Sequence, residues 1–231
     1  MLKTYFATWW QVMARPIFFF SKLQEESWKE NSLTFLISTA WLTALLMTIA
    51  VFILQYIPIG STLVAGIHGY KFILITPVIL TLAAVFFTLT WLIAGGAMVV
   101  GLGAGFWALA FVLHYIYVLL GGKGKLNRMV QQAYYSSAVA LAVLFPLILA
   151  LMTRFGWLDF SLFRVGFNFV FVCLVVYIYG LWAVAVRKVY NVPKWQAFAG
   201  ALVPALLLLI FGLLFDKIGI TKLESWIAPL K

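Results

Sequence analysis

Metal and hydrolytic chemistry in proteins depends mostly on histidine, cysteine and acidic side chains, and this sequence holds few of them. Its 231 residues include two histidines, six acidic residues and one cysteine. His68 and His114 lie 46 residues apart, and neither an H-E-x-x-H nor a G-x-S-x-G motif occurs. Asp159 and Asp216 stand at the ends of apolar runs, so paired aspartates inside a membrane are not expected. The sequence therefore predicts a protein that is not an enzyme and that uses no metal or cofactor.

The glycine- and lysine-rich segment 121–125 (GGKGK) invites comparison with a phosphate-binding P-loop. That motif, G-x-x-x-x-G-K-[ST], holds phosphate and magnesium with backbone amides, a lysine and a hydroxyl group. Here Leu119 stands at the first glycine position and Leu126 at the hydroxyl position. Nucleotide binding is therefore not expected. We interpret the segment as a flexible basic turn at lipid headgroups.

The elements that carry these residues follow from the composition, which is 65% hydrophobic and only 10% charged. A soluble domain has about 45–50% apolar and about 25% charged residues, so the chain is predicted to be a polytopic membrane protein. The net charge of +10 comes from sixteen Lys and Arg residues that lie mainly at the ends of apolar runs. This placement favours contact with anionic lipid headgroups on the cytoplasmic side, and nucleic-acid binding is not expected.

Long uncharged stretches divide the chain into helical crossings. A stretch of 21 residues or more crosses a bilayer about 30 Å thick at a helical rise of about 1.5 Å per residue. Helices are expected because an isolated strand leaves its backbone unpaired in lipid. The fold class is thus an all-α, polytopic transmembrane bundle. The apolar segments are 33–57, 72–120, 136–153, 163–186 and 195–215.

The run 72–120 decides whether the chain crosses five or six times. As one helix it is about 73 Å long, more than twice the hydrocarbon thickness. We therefore expect two passes, or one pass plus an interfacial or re-entrant piece, with a break near Gly95 and Gly96. Gly101 and Gly105 form a GxxxG pair that can admit a neighbouring helix. Five crossings place ten basic residues inside and six outside, and six crossings place nine and seven. The positive-inside rule favours five, with a cytoplasmic N-terminus either way.

Amphipathic segments flank the predicted bundle (residues 32–216). Residues 1–31 form an N-terminal segment whose helix, 2–14, is expected to lie in the interface, with Trp9 and Trp10 at headgroup depth and Pro16 turning the chain. A cytoplasmic helix packed on the bundle is the alternative. Residues 125–134 form a second amphipathic stretch at the membrane surface, and 217–231 form a short amphipathic tail.

Two polar residues fall inside the predicted crossings. His114 is interpreted as an interface or interhelical hydrogen-bonding group rather than a proton relay, and Asn168 as a polar contact between helices. The residues predicted to contact headgroups or a partner are Trp9, Trp10, Pro16, Gly121, Gly122, Lys123, Gly124, Lys125 and Arg128.

Several short motifs follow one another along almost the whole chain. Residues 10–19 (WQVMARPIFF) join a tryptophan, a proline and an aromatic pair, and His114 precedes the GGKG segment. Further along stand Tyr134, Tyr135, Trp182, Lys194 and Ala197. In this order and spacing they resemble the Yip-domain family, membrane proteins whose eukaryotic members interact with Rab GTPases. The opening motif is similar to that of the prokaryotic branch.

The resemblance implies a five-helix bundle with a cytoplasmic N-terminus, and its prokaryotic character implies the inner membrane. Some prokaryotic members resemble accessory subunits of export systems. We therefore expect a non-enzymatic scaffold or accessory protein that binds a membrane-protein partner, or a second copy, or shapes the bilayer. The alternative is a small-molecule or ion transporter or channel with a polar cavity around His114 and Asn168.

Overall fold

The computed structural model describes residues 2–24 and 27–228, and within these residues the secondary structure is helical, with no strand. Five helical rods are long and apolar enough to cross a membrane. The predicted all-α, polytopic bundle with five crossings is confirmed. Glu25 and Glu26 of the predicted N-terminal segment, and residues 229–231 of the predicted tail, lie outside the described residues.

The structure contains ten α-helices and three short segments of other helical types, and the two N-terminal α-helices precede the rods. In chain order the five rods are Asn31–Val64, Tyr70–Leu119, Leu126–Arg154, Phe160–Tyr190 and Lys194–Ile227. The α-helices are α1 (Leu2–Ala14), α2 (Pro16–Lys22), α3 (Asn31–Val51), α4 (Ile57–Val64), α5 (Tyr70–Leu119), α6 (Leu126–Ser136), α7 (Leu144–Arg154), α8 (Phe160–Tyr190), α9 (Lys194–Phe215) and α10 (Thr221–Ile227). A π-helical turn, Phe52–Tyr56, joins α3 to α4, and a second, Asp216–Ile220, joins α9 to α10. A 3-10 segment, Ser137–Val143, joins α6 to α7.

The N-terminal helices α1 and α2 pack on the bundle. The hydroxyl of Tyr5 lies 2.9 Å from that of Thr39 in α3, and the indole Nε1 of Trp9 donates to the carbonyl of Ala138 at 2.9 Å. Burial raises the pKa of the Tyr5 hydroxyl above its usual value, so this hydroxyl stays protonated. Helix α1 is thus packed on the bundle, as the alternative interpretation of the N-terminal segment expected. Trp10 is 60% exposed and points away from the bundle.

The long apolar run forms one unbroken helix, α5, of 50 residues, so the predicted break near Gly95 and Gly96 is wrong. A glycine costs a helix about 1 kcal/mol relative to alanine and does not by itself end it. Gly95 serves close packing, since the ring of Trp41 in α3 occupies the space that a Cβ at this position would need. The run therefore crosses once, as the charge count favoured.

The predicted surface stretch at 125–134 is also different in the structure. Residues Met129 to Ser136 of α6 are all buried, because α3, α5 and α8 pack around this helix. The amide Nε2 of Gln131 donates to the carbonyl of Gln24 at 3.0 Å, so the chain after α2 covers its polar side. The helix is the first part of the third crossing rather than a surface helix.

The predicted tail continues the fifth rod. Through its second π-helical turn the rod extends to Ile227, and Ile220 and Ile227 are buried. Arg154 at the end of α7 donates to the carbonyl of Ala228 at 2.6 Å, and Gln55 donates to that of Trp226 at 3.1 Å. The described part of the C-terminal segment is thus held against α7 and the first rod.

Candidate functional site

His114 belongs to an aromatic cluster that joins three crossings. Its Nδ1 lies 2.6 Å from the hydroxyl of Tyr190 at the end of α8. Tyr190 stacks on Tyr117 of α5, with ring centroids 5.4 Å apart, and the Tyr117 hydroxyl donates to the carbonyl of Ala197 in α9. Both tyrosines are buried. The predicted role of His114 in an interhelical hydrogen bond agrees with this geometry.

The glycine-rich loop is a turn fitted to this cluster. Gly121 has φ +82°, and the amides of Gly121 and Gly122 donate to the carbonyls of Val118 and Tyr117 at 3.0 and 2.8 Å. This pairing is the Schellman motif that ends many helices. A Cβ at Gly122 would lie 2.9 Å from Tyr190 Cβ, and one at Gly124 would lie 2.5 Å from the Tyr190 ring. The glycines therefore close α5 and admit Tyr190.

The same contacts bring basic residues from two loops to one end of the bundle. Since 121–125 packs on Tyr190, it lies beside the last turn of α8 and the start of α9. We call this group the basic end, and its members are Lys123, Lys125, Arg128, Arg187, Lys188 and Lys194. Arg128 is half-buried and the others are exposed. No acidic residue occurs between 123 and 154 or between 165 and 215.

A second polar cluster lies near the opposite end of α8. Arg164 donates from Nε and Nη2 to the two carboxylate oxygens of Asp216, at 2.8 and 2.5 Å. The amide of Asn168 donates to Asp216 Oδ1 at 2.8 Å, so Asn168 makes the predicted contact between helices. Asp216 directly follows the last residue of α9, at the end of the predicted apolar run, and it begins the π-helical turn through which the fifth rod continues.

His114 and Asn168 belong to different polar clusters. His114 contacts Tyr190, and 22 residues of α8 separate Tyr190 from Asn168, a distance of about 33 Å along the helix. The two residues that the alternative transport interpretation combined therefore lie far apart along the length of α8. Each residue is instead a member of its own cluster.

The three predicted N-terminal contact residues serve different purposes. Trp9 is half-buried and bonded to Ala138, whereas Trp10 is exposed. Pro16 is the first residue of α2, a position where its missing N–H costs nothing, and it separates α1 from α2. Only Trp10 of the three presents a large apolar surface outside the bundle.

A comparison with known protein families identifies the domain to which these residues belong. The model of the Yip1 domain matches residues 10–215, which is most of the chain. The chain belongs to the Yip1 domain family. Comparisons with curated proteins and with solved structures gave no significant match. The matched residues include the cluster of His114, Tyr117 and Tyr190, the glycine loop and α2 through α9, whereas Asp216 of the second cluster and α10 lie beyond them.

Three residues of the two clusters were missed at the sequence level. Tyr117 and Tyr190 were not singled out, and Asp216 was not expected to contact Asn168. The sequence feature that could have indicated a close neighbour such as Tyr190 is the presence of three glycines within positions 121–124. Glycine is often required where another group approaches the backbone closely. In the Yip1 domain that group is the tyrosine ring.

Proposed function

We propose that this Yip1-domain protein is a non-enzymatic scaffold or accessory protein that binds another membrane protein along α5. We place it in a prokaryotic inner membrane with its N-terminus in the cytoplasm. The uncovered apolar surface of α5 carries the proposal, and the distribution of basic residues supports the orientation.

The length of α5 exceeds what a bilayer can cover. Fifty residues measure about 75 Å, whereas a hydrocarbon layer of about 30 Å needs only about 40 Å of helix even at a tilt of 40°. The bundle covers little of the rest, because the buried residues of α5 are Gly95, Ala110, Leu113 and Tyr117. A second protein would shield apolar surface that otherwise meets water or headgroups.

The middle of α5 offers the geometry that helix pairing in membranes uses. Gly101 and Gly105 are exposed, and no atom lies within 4 Å of a Cβ built at either residue. Ala97, Ala104 and Ala108 are exposed beside them. Small residues at this spacing let two helix backbones approach closely, which provides the packing that drives association in lipid. The expected partner is therefore a transmembrane helix of another protein or of a second copy.

Replacing Gly101→Leu and Gly105→Leu together is expected to reduce recovery of the partner about tenfold or more, because the bulky side chains hold the two helices apart. The measurement is co-purification from native membranes in mild detergent, with quantitative mass spectrometry and a size determination for self-association. Gly180→Leu in α8, where a Cβ also meets nothing within 4 Å, is the matched control. Equal recovery from the parent and the double variant would contradict binding through α5.

The basic end is proposed to contact anionic headgroups at the cytoplasmic surface. Lys or Arg near such a surface contributes about 1 kcal/mol of attraction. Changing Lys123→Gln, Lys125→Gln and Arg128→Gln together is expected to lower the enrichment of phosphatidylglycerol over phosphatidylcholine in the purified protein several-fold. Lipid mass spectrometry measures this ratio.

A variant with three lysines neutralised near the opposite end controls for net charge in that experiment. Lys71→Gln, Lys217→Gln and Lys222→Gln alter exposed residues on the side assigned to the exterior. This control is expected to keep the parent's lipid ratio. If both triple variants lose enrichment equally, the basic end has no special role.

A transporter or channel is the second candidate, and the ion pair of Arg164 and Asp216 favours it. Charged residues within membrane-crossing helices often mark ion or substrate pathways. Flux of small ions and solutes into proteoliposomes tests this candidate. Flux no faster than into empty liposomes argues for the scaffold instead.

A further inference from the structure

An apolar groove runs along α1, where this helix meets the first and third rods. Its volume is about 560 Å³. It is lined by side chains that are all apolar in body, from α1, α3, the 3-10 segment and α7: Phe6, Trp9, Met13, Leu42, Leu45, Leu46, Leu141, Ala142, Leu144 and Phe145. Among these side chains the one N–H donor is the Trp9 Nε1, and it already donates a hydrogen bond to the carbonyl of Ala138. The groove therefore suits an apolar ligand.

The groove extends from α1 towards the middle of the crossings. Hydrogen bonds hold α1 at the level of Thr39 in the first rod and Ala138 in the third. These two rods run in the same direction, because one crossing separates them. The lining residues 42–46 and 141–145 follow Thr39 and Ala138 by three to seven positions, so they lie on the inward side of α1. An occupant would start at the level of α1 and continue into the hydrocarbon layer.

The positive charge on the N-terminal helices favours a lipid with an anionic headgroup as the ligand of this groove. Residues 2–24 contain Lys3, Arg15 and Lys22 and no acidic residue. Lys3 is exposed and lies one turn before Phe6, which lines the groove. A phosphate group at this end of the groove would meet a cation and no opposing carboxylate among residues 2–24.

The size of the groove favours a lipid chain over a protein helix. A helix about 10 Å across occupies about 420 Å³ in each turn of 5.4 Å, so the groove would hold little more than one turn. Pockets of about 300–1,000 Å³ commonly hold one small organic ligand, and a single acyl chain is a ligand of that kind.

We infer that this groove binds one acyl chain of an anionic glycerophospholipid, whose phosphate group contacts Lys3. The site is distinct from the Gly101 and Gly105 surface of α5, and it does not depend on partner binding. It adds a specific lipid to the general attraction that the basic end exerts on headgroups.

Filling the groove tests the site directly. The full chain is released from nanodiscs of phosphatidylglycerol and phosphatidylcholine, and bound lipid is counted by native mass spectrometry. The parent is expected to retain one phospholipid. Ala142→Phe should lower its occupancy at least tenfold, because the phenyl ring takes up the space in the groove that the acyl chain would fill. Leu206→Phe, on the exposed face of α9, is the matched control and should retain the lipid. A parent without lipid, or an Ala142→Phe variant with parental occupancy, overturns the inference.

A second measurement identifies the occupant independently of that substitution. Leu45 is replaced by the photoreactive residue p-benzoylphenylalanine, and the protein is irradiated in native membranes. An adduct with the mass of one phospholipid supports the site, whereas an adduct with another protein or a second copy overturns it.

Two further variants separate the headgroup contact from the proposed partner surface. Lys3→Gln is expected to reduce the preference for phosphatidylglycerol over phosphatidylcholine about fivefold, and an unchanged preference rules out the Lys3 contact. Gly101→Leu with Gly105→Leu is expected to keep the bound lipid. Loss of the lipid in this variant would show that the groove depends on α5 and would overturn its independence.

Discussion

Replacing Tyr190→Ala is expected to lower the free energy of unfolding by about 3–5 kcal/mol, the usual cost of removing a buried aromatic ring. The ring is 2% exposed, stacks on Tyr117 and fills the space that Gly122 and Gly124 leave open. Its removal leaves a cavity at the junction of α5, α8 and the loop 121–125. Thermal unfolding of the purified protein in detergent, followed by tryptophan fluorescence, measures the loss.

Two companion variants divide the effect of Tyr190→Ala into its parts. Tyr190→Phe keeps the ring and removes only the hydrogen bond to His114, so a loss of about 0.5–1.5 kcal/mol is expected. Tyr70→Ala removes a tyrosine that is 71% exposed and should change the unfolding temperature little. Similar losses for Tyr70→Ala and Tyr190→Ala would mean that the cluster does not stabilise the bundle.

Breaking the ion pair of Arg164 and Asp216 is expected to give the other large effect. Arg164→Leu leaves the Asp216 carboxylate inside the fifth rod with the Asn168 amide and the charge of Lys217 but without its ion-pair partner, and Asp216→Leu leaves the guanidinium without its carboxylate. An uncompensated charge in such surroundings is strongly unfavourable. Each single variant should therefore unfold at a clearly lower temperature than the parent.

The double variant, Arg164→Leu with Asp216→Leu, is expected to be more stable than either single variant, because both charges are removed together. Asp159→Leu, which alters an exposed carboxylate at the start of α8, should have a small effect. Additive losses in the double variant would show that the two side chains do not stabilise one another. Unfolding temperatures in detergent and in lipid nanodiscs provide the measurement.

The number of crossings could be predicted because the signal is local. A charge in the hydrocarbon layer is costly, so the long gaps between charged residues indicate where helices cross. The number of basic residues on each side of the membrane then favours five crossings over six. Four of the predicted apolar segments fall within four of the described rods, and the run 72–120 continues one residue past the end of α5. The turn of the chain at Pro16, the first residue of α2, could likewise be predicted, since its ring restricts its own backbone.

The continuity of α5 and the burial of α6 could not be predicted in the same way. Glycine is tolerated within a helix and is also common in turns, so Gly95 and Gly96 alone do not distinguish the two. The presence of Trp41 against Gly95 is a contact between residues 54 positions apart. The amphipathic pattern of 125–134 fits a surface helix, and it fits equally a helix whose polar side is covered by another segment, as Gln24 covers Gln131.

The sequence by itself determined that this protein crosses a membrane with helices and that its charges lie outside the long apolar runs, because composition and charge spacing act at each position separately. Only the tertiary structure decided that the glycine loop encloses Tyr190, that Asp216 pairs with Arg164 and Asn168, and that α1 borders an apolar groove. These contacts join residues far apart in the chain. Which distant side chains meet depends on how all five rods pack together, and no local pattern contains that information.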